Sequence, residues 1–504
     1  MPVRRLGLIA AAALAAVLLH ALGAAASTPD ACTGDRWVAS WLASPSDAAR
    51  GSLQRQTVRT IVTPHLGGRV LRLHLSNRYG AQAVTFDRVT IARRVAGAQI
   101  DPRTLREVTF GRSASVSVPG GQEAVSDPVT LPFNAFDDLA VSMWFAADTG
   151  PVTEHFVGRQ TSYVASGDRA AAASADGFTE LTSTAKYFVS GLDVMAPAGT
   201  GALVAFGDSL TDGYEGSPSP LQPNLEPIDA NGAYPDVLQR RVILSERRPP
   251  LAILNAGITG NRILDDGAIA QHGQKAIERL AADALDQAGV TGVLILMGTN
   301  DLGARSAGAA QVIDGLRVLM AQARAAGKRV LLGTLTPSRD AEPSTYGDGD
   351  FETMRGQVNF WIRHSGGADG VVDFDAALRD PDDPARLRAA FDSGDHLHPN
   401  LAGYRAMADA VDLALLRGPS CPAAAPCRRT ATIRVPQRWR TGFRRAVVTV
   451  DGRRAGVIRR PGGRVRVSLR GRRASTVTVT IRVMRSGRRT ATQTRRFARC
   501  PRAA

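Results

Sequence analysis

The most constraining feature of this 504-residue chain is a change of hydrophobic rhythm after Pro197-Ala198-Gly199-Thr200-Gly201. Beyond it, short unbroken apolar runs alternate with helical stretches. The runs are Leu203–Phe206, Ala252–Leu254, Val293–Leu296 and Val330–Leu332. An apolar run without polar alternation suits a strand buried on both faces. Strands of that kind, separated by helices, belong to parallel sheets covered on both sides. Helices are expected over Ala276–Ala288, from about Ala309, and over Leu401–Leu416, where Tyr404, Met407, Val411 and Leu415 share a face.

The flanking segments follow a different rhythm. Before the linker, Val70 to Leu75 alternates with period two, and Val89-Thr90-Ile91 and Leu139–Met143 are further short strands. Residues 27–196 are expected to form an N-terminal β-sandwich domain of seven to nine strands. The α/β domain spans 200–418. A Pro/Ala-rich linker leads to a C-terminal β module at 428–504. There Val477, Val479, Ile481 and Val483 alternate with polar residues, and Asp451-Gly452 marks a hairpin.

Charge separates these parts. Only Lys186, Lys275 and Lys328 are lysines among 62 basic residues. From Arg428 to Ala504 the chain carries 24 Arg and the single acid Asp451, a net +23 against +16 for the whole, which leaves −7 for residues 1–427. The basic balance thus describes the C-terminal module alone. Its scarce aromatics argue against a single-stranded nucleic-acid platform, and no nucleic-acid partner is expected. Three readings stay open for it: a binder of anionic cell-surface polymer, a binder of membrane headgroups, or a solvated face coloured by codon bias.

Residues 1–26 read as a signal peptide. Arg4-Arg5 precedes the apolar run Leu6–Leu19, and Ala24-Ala25-Ala26 offers a cleavage site before Ser27. A secreted, extracellular protein is expected. The four cysteines agree, and the pairing Cys32–Cys421 with Cys427–Cys500 would staple the ends of each module.

Chemistry enters through four islands of the α/β domain. Phe206-Gly207-Asp208-Ser209 follows a buried strand and places a hydroxyl where open α/β sheets carry their sites. Asn255 to Asn261 contains Gly260, a residue able to aim a bare N–H at a developing oxyanion. Gly298-Thr299-Asn300-Asp301 supplies Asn300, an uncharged donor suited to the same task. Asp395-His396-Leu397-His398-Pro399 supplies a base and the carboxylate that would fix its tautomer. His398 is preferred to its neighbour His396 by its spacing from Asp395.

Together the islands resemble the sequence blocks of the SGNH/GDSL hydrolase superfamily. The resemblance implies a flavodoxin-like three-layer α/β/α fold and a serine esterase without metal or organic cofactor. Ser209, Asp395 and His398 would be catalytic, and Ser209, Gly260 and Asn300 would form the oxyanion hole. Asp208 and Asp301 are candidates for orienting the Ser and Asn loops. A β-rich domain opening with Trp37-Val38-Ala39-Ser40-Trp41 ahead of such a hydrolase is similar to a secreted bacterial branch that includes acetylxylan-esterase-like enzymes. The expected substrate is a short-acyl ester, such as an O-acetyl group on polysaccharide, handled by a monomer. The rivals are a secreted lipase or phospholipase and a non-catalytic polysaccharide-binding protein. Trp37, Trp41 and Trp144 would either stack on sugar or fill the core.

Overall fold

The computed structural model describes residues 34–49, 51–216, 228–245, 250–419, 430–435, 439, 441–469 and 476–498. The expected signal peptide and all four cysteines of the expected disulfides, Cys32, Cys421, Cys427 and Cys500, lie outside the described residues. The chain divides into two compact units, Met1–Pro419 and Ser420–Ala504. Among the described residues, no helix is long and apolar enough to cross a membrane.

The first unit holds both the N-terminal strands and the parallel sheet. One antiparallel sheet orders Arg36–Leu42, Val189–Ala196, Gly68–Asn77 and Gln122–Val125, with Val129–Phe133 also on Gly68–Asn77. A second, seven-stranded sheet is centred on Gln56–Val62 and Leu139–Phe145. Leu71, Leu73 and Leu75 are fully buried, as the alternation predicts, and share one hydrophobic cluster with Val58, Val89, Val141 and the strands of the α/β part. The amide of Ala39 donates to the Ala288 carbonyl at 2.8 Å, so the two parts are also joined through backbone.

The parallel sheet has five strands, ordered in space as Leu251–Gly257, Gly201–Gly207, Val290–Leu296, Arg329–Gly333 and Gly370–Val372. In chain order this is 2-1-3-4-5, the doubly wound flavodoxin-like arrangement, with its switch point between the Gly201–Gly207 and Val290–Leu296 strands. Right-handed crossovers then fix the layers. Tyr234–Leu244 bridges the first two strands and lies on one face, packed with Leu401–Ala410. Ala309–Ala325 and Gly349–His364 bridge later strands on the other face and pack on each other. The fifth strand is short and half-buried, and its three residues carry too weak a periodic signal to read from sequence.

One helix ends early. The stretch expected to run from Leu401 to Leu416 is helical only to Ala410. The Asp412 carboxylate accepts the Ala414 N–H at 2.8 Å and caps a separate turn, Leu413–Leu415. A short acceptor side chain of this kind competes with helical pairing.

The second unit pairs Thr430–Arg434 with Arg464–Ser468, beside a four-stranded antiparallel sheet running from Arg453–Ile458 through Phe443–Val450 and Thr476–Arg485 to Arg488–Ala498. Val477, Val479, Ile481 and Val483 are buried in its own core with Ile433, Val448 and Val467. Asp451 (φ 46°) and Gly452 (φ 78°) both turn left-handed, the geometry of the two-residue hairpin read from sequence.

Candidate functional site

The register of the parallel sheet brings three islands to one edge. Gly207 lies beside Gly257 and beside Leu296, so the three strands end level. The loops carrying Ser209, Gly260 and Asn300 therefore leave the same carboxyl edge, at the switch point where such sheets hold their ligands.

Ser209 opens the short helix Ser209–Asp212, whose first turn is capped by Asp208 accepting from the Leu210 N–H at 3.1 Å. The last island returns just before Leu401–Ala410, a helix capped by Asn400. It sets His398 Nε2 2.9 Å from Ser209 Oγ, and His398 Nδ1 2.6 Å from Asp395 Oδ2. The other Asp395 oxygen accepts the N–H groups of His398 at 2.8 Å and Leu397 at 3.0 Å. Burial pushes the Asp395 pKa up, but the bond from His398, that ring's charge and the backbone donors outweigh it and hold it at about 2. The carboxylate is thus ionised at neutral pH and fixes the Nδ1–H tautomer. His396, the rival base, instead turns its Nδ1 to Asp392 at 2.6 Å on a half-exposed side chain.

Gly260 has φ 78°, and a Cβ there would collide with the His272 ring. Only glycine fits that turn comfortably. Asn300 is held at both ends. Its Nδ2 donates to the Asn261 carbonyl at 3.0 Å and its Oδ1 accepts from the Tyr346 hydroxyl at 3.1 Å. Those partners settle which end of the amide is nitrogen and leave its second hydrogen for another acceptor.

Both flanking aspartates brace loops. Asp301 is fully buried and accepts the N–H groups of Ile263 and Leu264, tying the Asn300 loop to the segment after Gly260. Burial pushes Asp301 up to about 6 and Asp208 up to about 7.

Several residues of the site escape a reading by motif. Tyr214 sets its ring edge-on to His398, centroids 4.8 Å apart, and its carbonyl accepts from the Tyr404 hydroxyl at 2.5 Å. Gly216 lies so close to Asp395 that a Cβ would strike the carboxylate. Arg279 is buried and donates to the Gly207 carbonyl (2.7 Å), the Ala256 carbonyl (3.0 Å) and Asn261 Oδ1 (2.9 Å). It thereby ties the Ser209 loop to the Gly260 loop. Asp283, its partner at 3.2 Å, also binds Arg78 of the N-terminal strands at 2.6 Å. An Arg inside a helical stretch carries no local sequence signal of this role. Of the candidate tryptophans, Trp37 and Trp41 are half-buried. Arg72 covers the Trp37 ring at 4.7 Å, and Trp41 packs on the core. Among the described residues, no group of His, Cys, Asp and Glu is arranged to hold a metal ion.

Residues 205–406 match the model of the GDSL-like lipase/acylhydrolase family. No curated protein matches the chain. Similar solved structures include an aryl esterase of Mycobacterium smegmatis, 17% identical, covering 42% of this chain and 95% of its own, with a TM-score of 0.34. A carbohydrate acetylesterase family member from Sinorhizobium meliloti is 16% identical, covers 42% of this chain and 94% of its own, and has a TM-score of 0.34. An acetyl-xylooligosaccharide esterase from a Geobacillus species is 20% identical, covers 44% of this chain and 97% of its own, and has a TM-score of 0.31.

Proposed function

We propose that this chain, whose residues 205–406 form a GDSL-like lipase/acylhydrolase domain, is a secreted serine esterase acting on short-acyl esters through an acyl-enzyme. One observation carries the catalytic reading: the unbroken relay Ser209 Oγ, His398 and Asp395, at 2.9 and 2.6 Å. His398 Nε2 takes the hydroxyl proton as Ser209 Oγ forms a bond to the ester carbonyl carbon. The tetrahedral oxyanion is met by the N–H groups of Ser209 and Gly260 and by Asn300 Nδ2. Collapse breaks the acyl–oxygen bond, and the alcohol leaves with the proton from His398. Water then attacks the acyl-serine, giving its proton to His398; collapse breaks the bond between the acyl carbon and Ser209 Oγ, His398 returns the proton to Oγ, and the free acid departs.

The short-acyl preference is supported by the insert Ser217–Ala233, whose sequence is Pro-, Asn- and acid-rich where a lipid-binding lid would carry Leu and Phe. Carbohydrate O-acetyl groups are the natural esters of that class for an exported enzyme. The leader sequence supports export. The Arg-rich module at 428–504, with its net +23, supports attachment to anionic cell-surface polymer. We read the flanking β-rich regions as two sandwiches that carry the hydrolase.

The test is a ladder of nitrophenyl esters from acetyl to palmitoyl, run with wild type and Ser209→Ala. Wild-type activity falls steeply beyond the short chains, and the variant loses about 10⁶-fold in kcat, the scale seen when a triad nucleophile is removed. A long-chain optimum would mean a lipase, and equal background rates in both proteins would sink the enzymatic reading.

A further inference from the structure

The catalytic relay uses one His–Asp pair, and the first unit buries another that the relay leaves out. His155 lies on Thr153–His155, a strand of the N-terminal β-rich region, and its side chain is buried. Its Nε2 is 3.1 Å from Asp212 Oδ1 and 3.1 Å from the Val157 carbonyl, and its Nδ1 is 2.9 Å from the Ser44 carbonyl. Every one of these partners is an oxygen that accepts and has no proton to give. Both ring nitrogens must therefore carry hydrogen, which makes the ring an imidazolium.

Asp212 is the last residue of the helix that begins with Ser209. Its second oxygen accepts from the Thr259 N–H at 2.9 Å and from the Thr259 hydroxyl at 2.7 Å. Thr259 is the residue before Gly260. The chain of contacts thus runs from the N-terminal strands, through one carboxylate, to the nucleophile's helix and the loop bearing the glycine donor.

We propose that His155 is a positioning residue of the ester-hydrolysing site: its ion pair with Asp212 locks the Ser209 helix to the Gly260 loop. The proposal rests on the esterase reading above. It also gives the N-terminal region a positioning duty, because the residue paired with Asp212 comes from one of that region's strands, while Arg279 of the hydrolase part acts on Asp212 only through its charge. The charged groups around His155 are consistent with its state. Burial works against the imidazolium, but Asp212 and the Ser44 carbonyl outweigh it and the His155 pKa is raised. Lys186, its cross-strand neighbour, is pushed down to about 7 by burial. Glu154 is pushed up to about 7 by burial and by Asp47.

Two substitutions separate positioning from mere packing. In His155→Asn the amide nitrogen falls near the place of Nδ1, so the bond to Ser44 survives and the one to Asp212 is lost. In His155→Gln it falls near the place of Nε2 and keeps a donor on Asp212. Losing a hydrogen bond to a charged group corresponds to roughly a tenfold to hundredfold change. We expect His155→Asn to lose that much in kcat on the acetyl ester with KM unchanged, and fluorophosphonate labelling of Ser209 to slow in parallel. His155→Gln should retain most of both rates. A His155→Asn protein with wild-type kcat, or equal losses in the two variants, would overturn the proposal while leaving the esterase reading intact. A wild type that neither hydrolyses nor labels would remove that reading and this one together. Nitrogen NMR of the histidine-labelled wild type at pH 7 decides the matter without any variant. Two protonated ring nitrogens at His155 are expected, and a neutral ring would overturn the ion pair.

Discussion

Arginine plays opposite parts in the two units. In the first, Arg279 is buried, faces Asp283, and gives its hydrogens to two carbonyls and an amide oxygen at the strand ends. In the second, Arg464, Arg466 and Arg482 stand on the exposed side of strands whose alternate residues, Val467, Val479, Ile481 and Val483, fill the core. The side chain is the same and the acid supply is not. Residues 1–427 have acids to spare, whereas Asp451 is the lone acid after Arg428 and is engaged at a hairpin, accepting from Thr478 N–H at 2.8 Å. A buried guanidinium needs a counter-charge and several acceptors, so it becomes a rigid tie. An arginine with neither stays in water and is free for an external anion.

The sharpest way to break this contrast is Arg279→Met. Removing one partner of a buried pair leaves Asp283 facing Arg78 alone and three backbone or amide acceptors unfilled. We expect a loss of about 3–5 kcal/mol, read by chemical denaturation. An unchanged midpoint would show that the tie is dispensable. Next comes Asn300→Ala, which removes one proposed oxyanion donor and leaves the ties of Arg279 in place. It should lower kcat by about 10²–10³, or about 2.7–4 kcal/mol, with near-native stability. An equal fall in stability would make Asn300 a scaffold residue like Arg279. The smallest effect belongs to the second unit. Replacing Arg464, Arg466 and Arg482 with Gln should each shift stability by no more than about 0.5 kcal/mol. The triple variant should nonetheless bind a sulfated polysaccharide more weakly, with a shallower dependence on salt. Unchanged binding would return that face to a solvated surface without a partner.

The hydrogen-bonded chain from Ser209 through His398 to Asp395 was readable from sequence because its members sit in short islands with strong local grammar. Ser209 follows a buried strand, and Asp395 and His398 share one loop, so Asp395 reaches His398 without help from the rest of the fold. Arg279, Tyr346, Tyr214 and Gly216 carry no such grammar. A tyrosine in a loop or an arginine in a helix has many ordinary explanations, and only contact with Asn300 or the Gly207 carbonyl gives it a role.

By itself, the sequence determined what depends on neighbours along the chain: the change from alternating to unbroken apolar runs, the hairpin at Asp451-Gly452, and the short islands that carry the candidate nucleophile, base, carboxylate and donors. The tertiary structure alone decided what depends on strand order and register. Ser209 and His398 are 189 residues apart and meet only because the Gly201–Gly207 strand and the Leu401–Ala410 helix share one end of the sheet. The same is true of Arg279 between the Ser209 and Gly260 loops and of His155 against Asp212. Periodicity records which face of an element is buried, and it holds no record of which distant element will cover that face.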